Sequence, residues 1–101
     1  MTAFLAHELD SSLNTANLTE LFGSPVTLLG RRRPSIHKPM ELIAAYRDAL
    51  KEHGYDPSKD VIVLTGRSVY LTLLMRALRE YPAVQAAMYD APTGRYYEVT
   101  L

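Results

Sequence analysis

The run Val61-Ile62-Val63-Leu64, followed at once by Thr65-Gly66-Arg67-Ser68, constrains this chain more than any other stretch. Four consecutive apolar residues leave no polar face for water, so a strand built from them must be covered on both sides. Such cover is the mark of a central strand in an α/β sheet flanked by helices. A leucine-rich stretch over residues 69–80, closed by Pro82, predicts the helix that this strand feeds.

The preceding segment repeats the unit. Residues 25–29 read as a short buried strand between Gly23 and Gly30. Residues 39–53 read as a helix with Pro39 first and Gly54 as its stop. Its apolar positions, Leu42, Ile43, Tyr46, Ala49 and Leu50, fall on one face. Glu41 lies near its positive end and Lys51 and His53 near its negative end, as the helix dipole favours. Downstream, residues 84–89 form a strand and Ala91-Pro92-Thr93-Gly94 a turn. Residues 95–101 alternate, with Tyr97, Val99 and Leu101 expected on one face and Tyr96, Glu98 and Thr100 on the other, which closes a hairpin. In front of all this, Ala3-Phe4-Leu5-Ala6 can open a strand and residues 10–15 are turn-like. Residues 18–22 suit a short helix, with Thr15 or Asn17 as cap and Gly23 as stop. The expected fold is one α/β domain over residues 1–101. It is a small, mostly parallel, Rossmann-like sheet in the order strand-helix-strand-helix-strand-strand, with a C-terminal β-hairpin and a right-handed parallel crossover.

Composition narrows the partners. Acidic and basic residues balance at eleven each, which argues against holding duplex DNA by bulk charge and leaves room for a local anion site. Cysteine is absent, so disulfides and thiolate metal sites are excluded and a reducing cytoplasm is the expected setting. No signal peptide is expected, and no apolar stretch approaches the ~20 residues that span a bilayer, so no membrane partner is expected.

Candidate chemistry gathers where the strands end. Thr65 closes the buried strand, Gly66 lets backbone approach a ligand, Ser68 can cap the next helix, and Arg67 offers a bidentate fork for phosphate. The alternative is a tight turn with an N-cap and an exposed arginine. Arg31, Arg32 and Arg33 follow the preceding strand, and parallel strands bring them to the same edge. The alternative there is a solvated basic loop. Tyr89 and Asp90 end the next strand; Asp90 can bind a metal, orient a hydroxyl or simply bond the backbone of the turn. His7, His37 and His53 lack zinc-ligand spacing, and His37, beside the arginines, is the candidate general base. No Walker-type or Gly-x-Gly-x-x-Gly loop is present.

From Val61-Ile62-Val63-Leu64-Thr65-Gly66-Arg67, through Tyr70-Leu71, to Ala87-Met88-Tyr89-Asp90 and Gly94, residues 61–99 resemble the small standalone CRISPR-associated ring nucleases. The resemblance implies a Rossmann-like homodimer. It would bind cyclic oligoadenylate, the messenger of type III CRISPR defence, and cleave the ring by attack of a 2′-hydroxyl on the 3′-phosphodiester. It implies a functional role for Asp90 and ring-phosphate contacts from Gly66 and Arg67. Taken with the reading of the residues, the expected catalytic groups are His37, Arg67 and Asp90, and the expected ligand contacts are Arg31, Arg32, Arg33, Thr65, Gly66, Ser68, Tyr70 and Tyr89. The family's catalytic histidine has no counterpart at Tyr81-Pro82-Ala83, and Ala91-Pro92 stands where the family has Pro-Arg. No cofactor is therefore expected to be required, with the family's manganese left open. Two other classes stay open: a protein that binds a cyclic nucleotide without cutting it, and a small protein-interaction module.

Overall fold

The computed structural model describes residues 1–8, 16–30 and 33–101. The strands are β1 (Ala3–His7), β2 (Val26–Leu29), β3 (Val61–Val63), β4 (Gln85–Asp90) and β5 (Arg95–Thr100). The helices are α1 (Ala16–Phe22), α2 (Pro39–Glu52) and α3 (Ser68–Ala77), and a 3-10 turn over Leu78–Glu80 extends α3. One sheet runs in the order β2-β1-β3-β4-β5. The first four strands are parallel, and β5 returns antiparallel as the far arm of the hairpin. The chain is thus α/β with a mostly parallel, Rossmann-like sheet and a C-terminal hairpin, as expected.

β3 occupies the middle of the sheet and all three of its residues are buried, as its apolar run requires. The strand order differs from the simplest reading of the sequence. The first segment is no outlying element: β1 lies between β2 and β3, with all five of its residues buried. The crossover through α2 therefore passes over β1, and β2 and β3 are parallel without being neighbours.

Two cores follow from this winding. Phe4, Ala6 and Ile62 pack on one face with Leu42, Tyr46 and Leu50 of α2 and Tyr70 and Leu74 of α3. Ala3, Leu5, Val61, Val63 and Ala87 pack on the other with Leu18 and Phe22 of α1 and with Tyr96. The chain steps one way from β1 to β2 and the other way afterwards, so a single crossover hand puts α1 opposite α2 and α3. The predicted face of α2 is the buried one at all five positions.

Two local expectations are corrected, a cap and the strand bounds. Asn17 lies inside α1 and its Oδ1 accepts the Tyr96 backbone N–H at 2.9 Å, so it ties the helix to the edge strand instead of capping the helix. The same contact covers part of β5: Tyr96 is buried beneath α1 while Tyr97, on the other face, is 48% exposed. Pro25 and Leu64 fall outside their strands, and β4 runs one residue further, to Asp90. Gly23, at φ +79°, ends α1 as expected, its N–H donating to Thr19 O. The turn at 10–15 and the Thr15 cap lie outside the described residues.

At the amino edge of the sheet, Asp60 is buried and bridges two segments. Its Oδ1 accepts the Thr2 N–H at 3.0 Å and its Oδ2 the Asp56 N–H at 2.8 Å. The adjacent Val61 N–H donates to Thr2 O, so this clamp sets β1 in register with β3. Asp60→Ala removes two hydrogen bonds to a charged acceptor and strands their donors; it is expected to cost about 2–4 kcal/mol in urea unfolding.

Candidate functional site

Strand order 2-1-3-4-5 has one place where the chains of neighbouring strands leave in diverging directions along the sheet, the carboxyl ends of β1 and β3. In open α/β sheets ligands usually bind at this point. The register Leu5↔Val63, carried two residues on, brings His7 level with Thr65. His7 and Thr65-Gly66-Arg67 thus face one another across this point.

The turn after β3 is shaped around the imidazole. Gly66 has φ +129°, a conformation that side-chain-bearing residues rarely adopt. A Cβ at this position would stand 2.5 Å from His7 Nε2. The Arg67 N–H donates to that same Nε2 at 3.0 Å, and Nδ1 lies 2.8 Å from Glu8 O. The His7 ring packs on Tyr70 at 5.0 Å between centroids. Gly66→Ala is expected to lower stability by about 2–4 kcal/mol, read by thermal or urea unfolding, because it adds backbone strain and forces the imidazole out of place.

Tyr70 organises the positive charge. The Arg33 guanidinium lies 4.7 Å from its ring centroid and that of Arg67 5.7 Å, so two arginines from separate loops share one aromatic ring. Arg33 is also held by its Nη1, which donates to Gly30 O at 3.1 Å. Among the described residues neither guanidinium is ion-paired. Two cations on one ring repel each other, and an anion bound between them would relieve that repulsion.

Polar groups without partners lie around these arginines. Thr65 is 8% exposed and its Oγ1 has no hydrogen-bond partner among the described residues. The Tyr46 hydroxyl, fully buried, has none among them either. Burial pushes the Tyr46 phenol up to about 12, with the nearby Arg33 charge opposing and Tyr70 adding to the rise. At the start of α3 the amides of Ser68 and Val69 precede the first intrahelical bonds, which Tyr70 and Leu71 donate to Arg67 O. A buried hydroxyl with no partner carries a desolvation cost of about 1–3 kcal/mol. Tyr46→Phe removes that cost and is expected to raise stability by roughly 1 kcal/mol in urea unfolding.

The other predicted residues divide. Arg31 and Arg32 lie outside the described residues. Ser68 is the first helical residue and caps nothing; the N-cap is Arg67, whose extended backbone delivers its N–H to His7. His37 is exposed on the same loop as Arg33, with its N–H on Ser35 Oγ at 3.2 Å. Asp90 belongs to the hairpin turn, where its Oδ2 accepts the Thr93 hydroxyl at 2.7 Å and its carbonyl the Gly94 N–H. Tyr89 stacks edge-on against Tyr96 at 5.2 Å. The described residues do not offer a manganese donor set: Asp90 is engaged by Thr93, both His7 nitrogens are used, and no three His, Asp or Glu side chains converge. Among the described residues no helix is long and apolar enough to cross a membrane.

Sequence reasoning missed two members, His7 and Tyr46. His7 carried a usable signal, a polar residue closing a short apolar run, which becomes meaningful once that run is placed beside β3. Tyr46 read as an ordinary core position, and nothing local marks its hydroxyl as unpartnered.

Compared with known proteins, the chain matches no family model, no curated protein and no solved structure.

Proposed function

We propose that the protein binds the phosphodiester backbone of a cyclic oligoadenylate at the carboxyl ends of β1 and β3, and that it opens the ring. The observation that carries the binding is the pair of guanidiniums, Arg33 and Arg67, that meet at Tyr70 beside the start of α3 with no ion-pair partner among the described residues. An oxyanion there takes bidentate arginine contacts and amide donors from the first turn of α3. The resemblance over residues 61–99 supplies the choice of nucleotide.

Ring opening needs positioning and charge neutralisation more than a strong nucleophile. A ribose 2′-oxygen attacks its own 3′-phosphorus, the bond from phosphorus to the 5′-oxygen breaks, and the 2′-proton ends on that 5′-oxygen. The products are a 2′,3′-cyclic phosphate and a 5′-hydroxyl. The arginines stabilise the charge that builds on phosphorus-bound oxygen. His37, exposed and on the Arg33 loop, is the proposed proton acceptor, with Asp90 as the other candidate. A ring of two-fold symmetry offers equivalent phosphates to two copies of the chain, so the proposal includes a homodimer.

A second reading, binding without cleavage, is favoured by the state of the bases: Asp90 is held by Thr93 and both His7 nitrogens are occupied, which leaves His37 alone. One experiment separates the readings. Incubation with cyclic tetra- and hexa-adenylate is expected to raise the melting temperature and to yield linear products by chromatography. Arg33→Ala and Arg67→Ala are each expected to weaken binding roughly 10- to 100-fold, the worth of a charge-assisted hydrogen bond. Intact ring recovered after heating identifies a binding protein; no thermal shift with either ring identifies an interaction module.

A further inference from the structure

We propose that His7 is a positioning residue whose neutral form, with its proton on Nδ1, assembles the anion site, so that anion binding is lost as the ring takes up a second proton. The role rests on the anion-site reading of this point in the fold but not on the identity of the nucleotide.

The partners of the ring assign its protons. Glu8 O can only accept, so Nδ1, 2.8 Å away, carries hydrogen. The Arg67 N–H can only donate, so Nε2, 3.0 Å away, presents a lone pair. One neutral tautomer satisfies both, and the ring is only 5% exposed, so water offers little substitute. The bond it makes is to the N-cap residue of α3, the hinge between the end of β3 and the helix. Holding that N–H fixes the Gly66-Arg67 turn, directs the next amides outward and leaves the Arg67 side chain over Tyr70.

A second proton on Nε2 sets donor against donor. The Arg67 N–H must turn away, and the start of α3 moves with it. The charged and titratable groups near the ring are Arg67 from α3, Arg33, which reaches the shared Tyr70 from the loop after β2, Tyr70 itself and Glu8 next along the chain. The sign follows from the hydrogen bonds: the site is assembled while Nε2 is bare and accepts the Arg67 N–H, and it disassembles when acid places a proton there.

The test uses two probes whose charge is constant across the range, inorganic sulfate and cyclic tetra-adenylate, titrated from about pH 8 to about pH 5.5. Wild-type affinity is expected to fall at least about tenfold on acidification. His7→Gln, whose side-chain oxygen accepts from Arg67 without titrating, is expected to bind with a flat pH profile, whereas His7→Ala is expected to bind weakly throughout. Long-range proton–nitrogen correlation spectra of the wild-type ring are expected to show a bare Nε2 at pH 8, with the Arg67 amide signal moving as His7 titrates. Affinity that rises in acid, an Nε2-protonated ring at pH 8, or equal pH profiles for wild type and His7→Gln would each overturn the proposal, as would failure of both probes to bind at pH 8. Binding of sulfate alone, with the expected pH profile, overturns the oligoadenylate reading and leaves the role of His7 standing.

Discussion

The pairing of β1 with β3 is the contact on which the rest of this molecule depends. It joins two segments some sixty residues apart in the chain through a buried parallel ladder, Ala3↔Val61 to Leu5↔Val63. A parallel pair has no tight turn to set its register. Here the register is set at one end by the Asp60 carboxylate holding Thr2 and at the other by the His7 imidazole holding Arg67. Both are side chain to backbone bonds, both are shielded from water, and between them lie only apolar residues that alternate between the two cores. A slip of one residue would exchange the faces of β1 and break both clamps.

The same pairing creates the site. β1 leaves toward α1 on one face, and β3 leaves toward α3 on the other. At that point stand groups that strand geometry does not satisfy: a turn glycine, the first amides of a helix and a threonine hydroxyl without a partner among the described residues. Arginines from two loops then settle on Tyr70 with no acid among the described residues to neutralise them. Two like charges held on one ring repel each other, and an anion placed between them would lower that cost, which is the basis of the proposed site. The site also has an unequal division of labour. Binding groups are plentiful, whereas groups able to accept a proton are few and engaged, with Asp90 tied into its turn.

Much of this was legible from local pattern. The face of α2 is visible because Leu42, Ile43, Tyr46, Ala49 and Leu50 recur at the helical period, and a helix closes its own hydrogen bonds without reference to the rest of the chain. Thr65, Gly66 and Arg67 were readable for a similar reason, since a buried run that ends in a polar residue and a glycine must turn there. β1 was harder to read because Ala3-Phe4-Leu5-Ala6 is short and carries no β-branched residue, so its strand character comes from its neighbours. Which face of β5 is covered was not legible, because alternation defines two faces without saying which is buried; α1, through Asn17 and the contact with Tyr96, decides that.

The amino-acid sequence by itself determined the class of the fold, the central position of β3, the buried face of α2 and the turn at Gly66, all consequences of short-range periodicity and backbone sterics. Only the tertiary structure decided that β1 enters between β2 and β3, that His7 rather than Ser68 governs the start of α3, and that Arg33 and Arg67 meet on one tyrosine. The physical reason is common to all three. Each depends on a contact between residues far apart in the chain, where the loss of chain entropy is offset by burial and hydrogen bonding that exist only once the sheet is assembled.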